Sequence, residues 1–316
     1  MKNAVHMGSV LIPPALVKGD TIGIFAPAGY PEDDSAVHRG IRILHELGFQ
    51  VKMPSSLWPG ADYLADTDQN RGQEFNRLYQ DQEVQAMLAL RGGFGCLRLL
   101  NQIDLAAVAA TPKLLVGFSD LTVLHNYLLE KTGLMTLHGP VVTTLHQLDQ
   151  PSMAGFHDAL TGQWNTTIHW RNLEIVRGGA PANGILAGGN LSSLVSMLGT
   201  PYEPDWTGKI LVLEDIDEPP YRLDRMLTQL ALALNFHQVS GILLGDFSLF
   251  PQQDHVGTLR HQEMVWNRML ELTRSMSIPI WGGVDVGHGP NNQTLPLGVP
   301  VCMHSGQGLL EIRHLS

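Results

Sequence analysis

The chain has 316 residues, of which 44% are hydrophobic and 16% charged, and its formal net charge is −10. That length can bury a large core and suits two domains better than one. The acidic balance without a Lys/Arg cluster excludes nucleic acid as a partner, and the absence of any run of about 18 apolar residues excludes a membrane span.

Met1 to Val10 is short and polar and lacks the apolar centre of a secretory signal, so cytoplasmic residence is expected. Thr21 to Phe25 is a short apolar run closed by Ala26-Pro27-Ala28-Gly29, the pattern of a buried first strand. Val37, Ile41, Leu44 and Leu47 recur at helical spacing over Ala36 to Leu47, with Gly48 as the stop. Phe49 to Met53 follows as a strand. Thr67 to Leu78 and Glu83 to Leu88 read as helical, and Ala86 to Leu90 runs into Arg91-Gly92-Gly93-Phe94-Gly95. Leu114 to Val116 is a strand that ends in Gly117-Phe118-Ser119-Asp120, after which Leu121, Leu124 and Leu128 mark a helix. Leu134 to Val142 reads as one more strand.

This alternation predicts an α/β unit with a mainly parallel sheet flanked by helices, flavodoxin- or Rossmann-like. Gln147 to Asn172 turns polar and loses its period, which puts a domain junction between Leu145 and Asn165. Residues 11–150 are then the first unit and 165–316 the second. The second is expected to be α/β or β-rich. It has a helix over Leu191 to Leu198, a strand over Lys209 to Leu213, a helix over Leu223 to Leu234 and a strand over Val239 to Leu244. A helix from Arg260 to Thr273, a strand from Ile278, a loop from Gly282 to Pro290 and two short strands complete it. The active site is expected in the cleft between the units.

Three polar residues stand where strands end. Ser119 follows Leu114–Val116, Glu214 follows Lys209–Leu213, and His288 lies in the loop after the strand from Ile278. Ligands of open α/β sheets gather at such carboxyl ends. A serine, an imidazole and a carboxylate brought together there can work as nucleophile, base and orienting acid. The alternative for Ser119 or Asp120 is an ordinary helix N-cap. Arg91 to Gly95 offers amides that approach a substrate closely, and the Asp120 N–H begins a helix; both suit an oxyanion. The same glycines could form a phosphate loop, but neither Walker nor G-x-G-x-x-G spacing is present. Glu214-Asp215-Ile216-Asp217-Glu218 leaves Glu218 as a rival carboxylate or the run as a solvated loop. Cys96 and Cys302 are far apart, so no disulfide framework or zinc ribbon is expected.

Val116-Gly-Phe-Ser-Asp120, Arg91-Gly-Gly-Phe-Gly95, Gly188-Gly-Asn-Leu191 and the stretch Leu211 to Leu227 resemble the LD-carboxypeptidase family. So do Gly241-Ile-Leu-Leu-Gly245, the Gly287-His288 loop and Leu295-Pro-Leu-Gly298. The resemblance runs in order from about Leu11 to Ile312. It implies a Ser119–Glu214–His288 triad with oxyanion amides from Gly93 (Gly92 being its neighbour alternative) and Asp120. It implies release of D-Ala from cytoplasmic murein tetrapeptide in peptidoglycan recycling, by a homodimer that needs no metal or organic cofactor. A chelator should therefore leave activity intact. Arg91 is the candidate for the substrate carboxylate, with a structural salt bridge as its other reading. Phe94 stands where the family commonly has Tyr. Arg222 and Arg225 are expected to pair with acids on their own helix. The microcin C immunity relatives imply an alternative, hydrolysis of acyl-sulfamoyl or acyl-phosphoramidate nucleotides. For that chemistry Trp164 or Trp170 would have to stack on a base; core packing is their other reading. A non-catalytic small-ligand module is the third reading.

Overall fold

The first strands are apolar on both faces, and that decides the architecture. In a computed structural model, which describes residues 10–54, 60–163, 167–234, 236–249 and 255–313, they form a parallel sheet covered on both sides. The unit contains β1 (Thr21–Phe25), α1 (Asp34–Glu46), β2 (Gln50–Lys52), α2 (Asp68–Gln80), β3 (Ala86–Ala89), α3 (Leu105–Ala110), β4 (Leu114–Gly117), α4 (Thr122–Thr132), β5 (Thr136–His138) and α5 (Gln150–Leu160). Every residue of β3, β4 and β5 is buried. Local chemistry sets the helix starts. Asp33 accepts from the Ser35 N–H at 2.8 Å ahead of α1, Thr67 accepts from Asn70 ahead of α2, and Asp149 accepts from Ser152 ahead of α5.

The second unit holds β6 (Thr167–Ile168), β7 (Glu174–Arg177), β8 (Ala182–Asn190), α6 (Leu191–Met197), β9 (Lys209–Ile216), α7 (Pro220–Leu234), β10 (Gly241–Ser248), α8 (His255–Leu272), β11 (Ile280–Gly282), β12 (Leu295–Leu297), β13 (Pro300–His304) and β14 (Leu309–Ile312). Its eight-stranded sheet runs β6-β14-β13-β8-β9-β10-β11-β7. The centre, β8 to β11, is parallel, and the flanking pairs are antiparallel. Strand β12 leaves this unit. It pairs antiparallel with β5 and closes the six-stranded order β12-β5-β4-β3-β1-β2. The chain beyond His288 thus returns to the first sheet.

One local expectation is corrected. Glu83 to Leu88 is not helical: Ala86–Ala89 is the central strand β3, paired in parallel with β1 and β4. A short apolar run does not reveal its own period, and burial on both faces made it a strand. The polar stretch after Gln147 carries a helix of its own. Asp149 and Pro151 start α5, whose Phe156, Ala159 and Leu160 enter the core. Both cysteines are free and buried. Arg222 does meet Glu218, at 3.2 Å, but Arg225 lies over the Tyr221 ring at 5.6 Å. Among the described residues, no helix is long and apolar enough to cross a membrane.

Candidate active site

Strand β4 delivers Ser119. Phe118 continues extended, and Ser119 then turns to a φ of +62°, a left-handed conformation that few residues other than glycine adopt. One 3₁₀ turn later α4 begins. Such a kink thrusts a hydroxyl out of the sheet edge rather than folding it back onto the helix. Neither Ser119 nor Asp120 caps the helix. The Asp120 Oδ2 accepts the Cys96 N–H at 2.8 Å instead, tying the turn to the glycine loop. Burial pushes the Asp120 carboxyl above its ordinary value, against the Cys96 bonds that favour the anion.

The glycine loop lies against the serine. A Cβ on Gly92 would stand 2.8 Å from both Cβ and Oγ of Ser119 and 3.7 Å from the Asp120 nitrogen. Only glycine permits this approach. Gly93 has a φ of +116° and packs beside Gly29. Gly92, Gly93, Ser119 and Asp120 therefore line one spot in a cleft of about 650 Å³. Arg91 lines it too, donating to the Tyr30 carbonyl at 2.8 Å and pairing with exposed Glu32 at 3.0 Å. Phe94 is exposed at the rim, 6.0 Å from the Tyr63 ring.

The other unit contributes the imidazole and carboxylate. Glu214, near the carboxyl end of β9, is fully buried, and its Oε2 lies 2.8 Å from His288 Nδ1. His288 lines the cleft with its ring 4.6 Å from that of Phe118, the residue before the serine. Gly287 has a φ of +137°, and a Cβ there would stand 2.9 Å from Asp246 Cβ and 3.2 Å from Glu214 Oε2. The loop can thus lay the imidazole on the carboxylate only with glycine before it. Glu218, the rival carboxylate, is engaged with Arg222 instead.

These partners set the charge state. Burial alone would lower the His288 pKa, but the Glu214 carboxylate, with Asp215 and Asp246 behind it, outweighs burial and raises it. Burial pushes Glu214 up, yet the His288 and His138 rings outweigh it and hold the carboxyl below its usual value.

Hydrogen bonds fix the register between the units. Asn126 of α4 donates to the Gly188 carbonyl at 3.0 Å and accepts from its N–H at 3.1 Å. The Asn190 N–H donates to Thr122 Oγ1 at 2.9 Å. The Asn190 amide then donates to Asp215, which also accepts from the Ser192 backbone and hydroxyl. Asp215 is buried and pushed up to about 6, first by desolvation and then by Glu214.

The expected Ser119, Glu214, His288, Gly92, Gly93, Asp120 and Arg91 thus gather around one cleft, with Glu214 reaching it through His288. Four neighbours were not foreseen: His138, Asn190, Asp215 and Asp246. His138 is the most telling. It is fully buried in β5, its ring nitrogens make no hydrogen bond, and its Nε2 faces the unbonded Oε1 of Glu214 at 4.0 Å. Burial lowers its pKa to about 4, so it stays neutral and can turn an N–H toward that oxygen. A single histidine on a buried strand reads as packing, so no sequence signal marked it. His138→Leu should lower kcat about tenfold with KM unchanged, and His138→Gln, which keeps a donor, should recover most of it. Equal loss in both variants would contradict this. Trp170 is buried in an edge-on pair with Trp281, 6.4 Å away, and does not line the cleft. Trp164 lies outside the described residues.

The chain matches the LD-carboxypeptidase N-terminal domain over residues 22–139 and the LD-carboxypeptidase C-terminal domain over residues 183–303. It is 36% identical over 302 residues to the probable murein peptide carboxypeptidase of Bacillus subtilis (strain 168), covering 93% of this chain and 92% of that one. The crystal structure of muramoyltetrapeptide carboxypeptidase from Oxalobacter formigenes superposes with a TM-score of 0.79 at 33% identity, over 93% of this chain and 99% of that one. An MccF-like protein from Bacillus anthracis str. Ames superposes with a TM-score of 0.85 at 25% identity, over 96% and 100% of the two chains. The class is that of carboxypeptidases that work through a serine. Within it, the chain belongs to the LD-carboxypeptidase family.

Proposed function

We propose that the protein removes the terminal D-Ala from murein tetrapeptide, cutting the bond between the L-centre of the diamino acid and D-Ala. The observation that carries this reading is the left-handed Ser119 turn facing, across one cleft, an imidazole already bonded to a buried carboxylate. His288 accepts the Ser119 proton as the hydroxyl attacks the peptide carbonyl, and Glu214 holds the ring and balances the imidazolium. The N–H groups of Gly93 and Asp120 receive the developing oxyanion. His288 returns the proton to the departing D-Ala amine, and water then clears the acyl-enzyme by the same route. Arg91, a cation at the glycine loop of the cleft, fits the free carboxylate of the substrate, in exchange for its exposed partner Glu32. In this reading the enzyme is a cytoplasmic homodimer that recycles wall peptides.

Gly92→Ala tests the oxyanion wall. The added methyl would collide with Ser119, so kcat should fall about 10²- to 10³-fold in a protein that keeps its fold by circular dichroism. Wild-type turnover in that variant would remove the glycine loop from the mechanism.

The likeness to the microcin C7 self-immunity protein MccF, solved in complex with aspartyl sulfamoyl adenosine, supports a second reading, hydrolysis of acyl-sulfamoyl nucleotides. Product analysis separates the two. Incubation with murein tetrapeptide and with an aminoacyl-sulfamoyl adenosine, each alone, should yield free D-alanine from the first and leave the second intact. Cleavage of the nucleotide conjugate alone would favour the second reading.

A further inference from the structure

We infer that the β13–β14 hairpin carries a divalent metal site for zinc-like ions, separate from the catalytic centre. Cys302 and His304 sit two residues apart on β13 and so project from the same face. Glu311 of β14 lies directly opposite Cys302 in the antiparallel register. The thiol, imidazole and carboxylate each offer one donor atom, and these atoms all lie within 4.8 Å of one another. Two donors from alternate positions of one strand and a third from its neighbour form a triangle over the sheet. A cation above it would have three protein ligands and one open position for water.

The surroundings agree. Val301, Met303, Leu310 and Ile312 point to the other face and enter the main apolar core. Cys302 is fully buried, yet it belongs to none of the apolar clusters of the described residues. Its face is the polar one, where His304 Nε2 and Glu311 Oε2 lie 3.0 Å apart. That separation is close to the edge of a tetrahedral site with metal–ligand distances of about 2.0–2.3 Å. A thiolate and an imidazole select zinc, cobalt or copper over magnesium and calcium, which take oxygen ligands. Thiolate and carboxylate together neutralise a divalent charge.

Its place in the fold separates it from catalysis. Cys302 pairs with Asn183 at the start of β8, whereas Asn190 at the far end of that strand reaches the catalytic unit. The ion would clamp β14 to β13 without touching substrate.

The test uses the full-length protein, stripped with chelator and titrated with Co²⁺. One equivalent should bind with a near-ultraviolet thiolate-to-cobalt charge-transfer band, and one equivalent of Zn²⁺ should abolish the band and raise the melting temperature. Cys302→Ser should remove the band. Glu311→Gln, on a half-buried side chain that leaves the core untouched, should weaken binding at least tenfold. D-alanine release should be the same in stripped and loaded protein, which keeps this result independent of the peptidase reading. Absence of the band, its survival in Cys302→Ser, or unchanged affinity in Glu311→Gln would overturn the proposal.

Discussion

Replacing Glu214 with Gln is expected to lower kcat about 10³- to 10⁴-fold and to move the acid limb of the pH profile to lower pH. Both effects follow from the 2.8 Å bond between Glu214 and His288. His288 must be neutral to accept the Ser119 proton, so wild-type activity rises as pH passes its pKa. That pKa stands above the ordinary imidazole value of about 6.5 because the carboxylate outweighs burial. With a neutral amide in place of the carboxylate, burial prevails and the pKa falls, so the residual activity should persist to lower pH. The amide also leaves the imidazolium of the transition state unbalanced and can hold the wrong tautomer. Rate measurements against pH for both forms check the two effects together. A drop in kcat with an unmoved limb would mean that Glu214 acts only by filling space.

Ser119→Ala should have the larger effect. Loss of the nucleophile removes the covalent route, and a fall of about 10⁴- to 10⁶-fold in kcat is expected. KM should change little, because the cleft walls remain. The backbone gives a second readout. A left-handed non-glycine residue costs on the order of 1 kcal/mol or more, sustained by its surroundings. An alanine at this position would keep that strain, so Ser119→Ala should melt with the wild type. Ser119→Gly relieves it and should melt no lower despite the added freedom of the unfolded chain. Equal destabilisation of both variants would mean that the hydroxyl is a structural anchor.

The parallel α/β character was legible because buried strands such as Leu114–Gly117 are short, apolar throughout and spaced by helices. Glu83 to Leu88 misled because four buried residues contain too little of a period to tell strand from helix. The return of Leu295–Leu297 to the first sheet was illegible for another reason: its partner β5 lies far away in sequence, and local pattern carries no record of that pairing. At the site, Ser119 could be read from an apolar run that stops at Gly117 before a helix. The choice between Glu214 and Glu218 could not be made from spacing alone. Only the folded loop puts His288 on the former, and that depends on Gly287 fitting against Asp246 and Glu214. His138 and Asp215 were invisible because their importance lies in which buried groups they face across the two units.

The most direct test of the account is D-alanine release from murein tetrapeptide by the purified wild type and by Ser119→Ala, measured in one experiment. Stoichiometric free D-alanine and the tripeptide from the wild type, with release lost in a variant that melts at the same temperature, is the expected result. Release that persists in Ser119→Ala, or no release from either protein, would contradict a serine LD-carboxypeptidase built on this cleft.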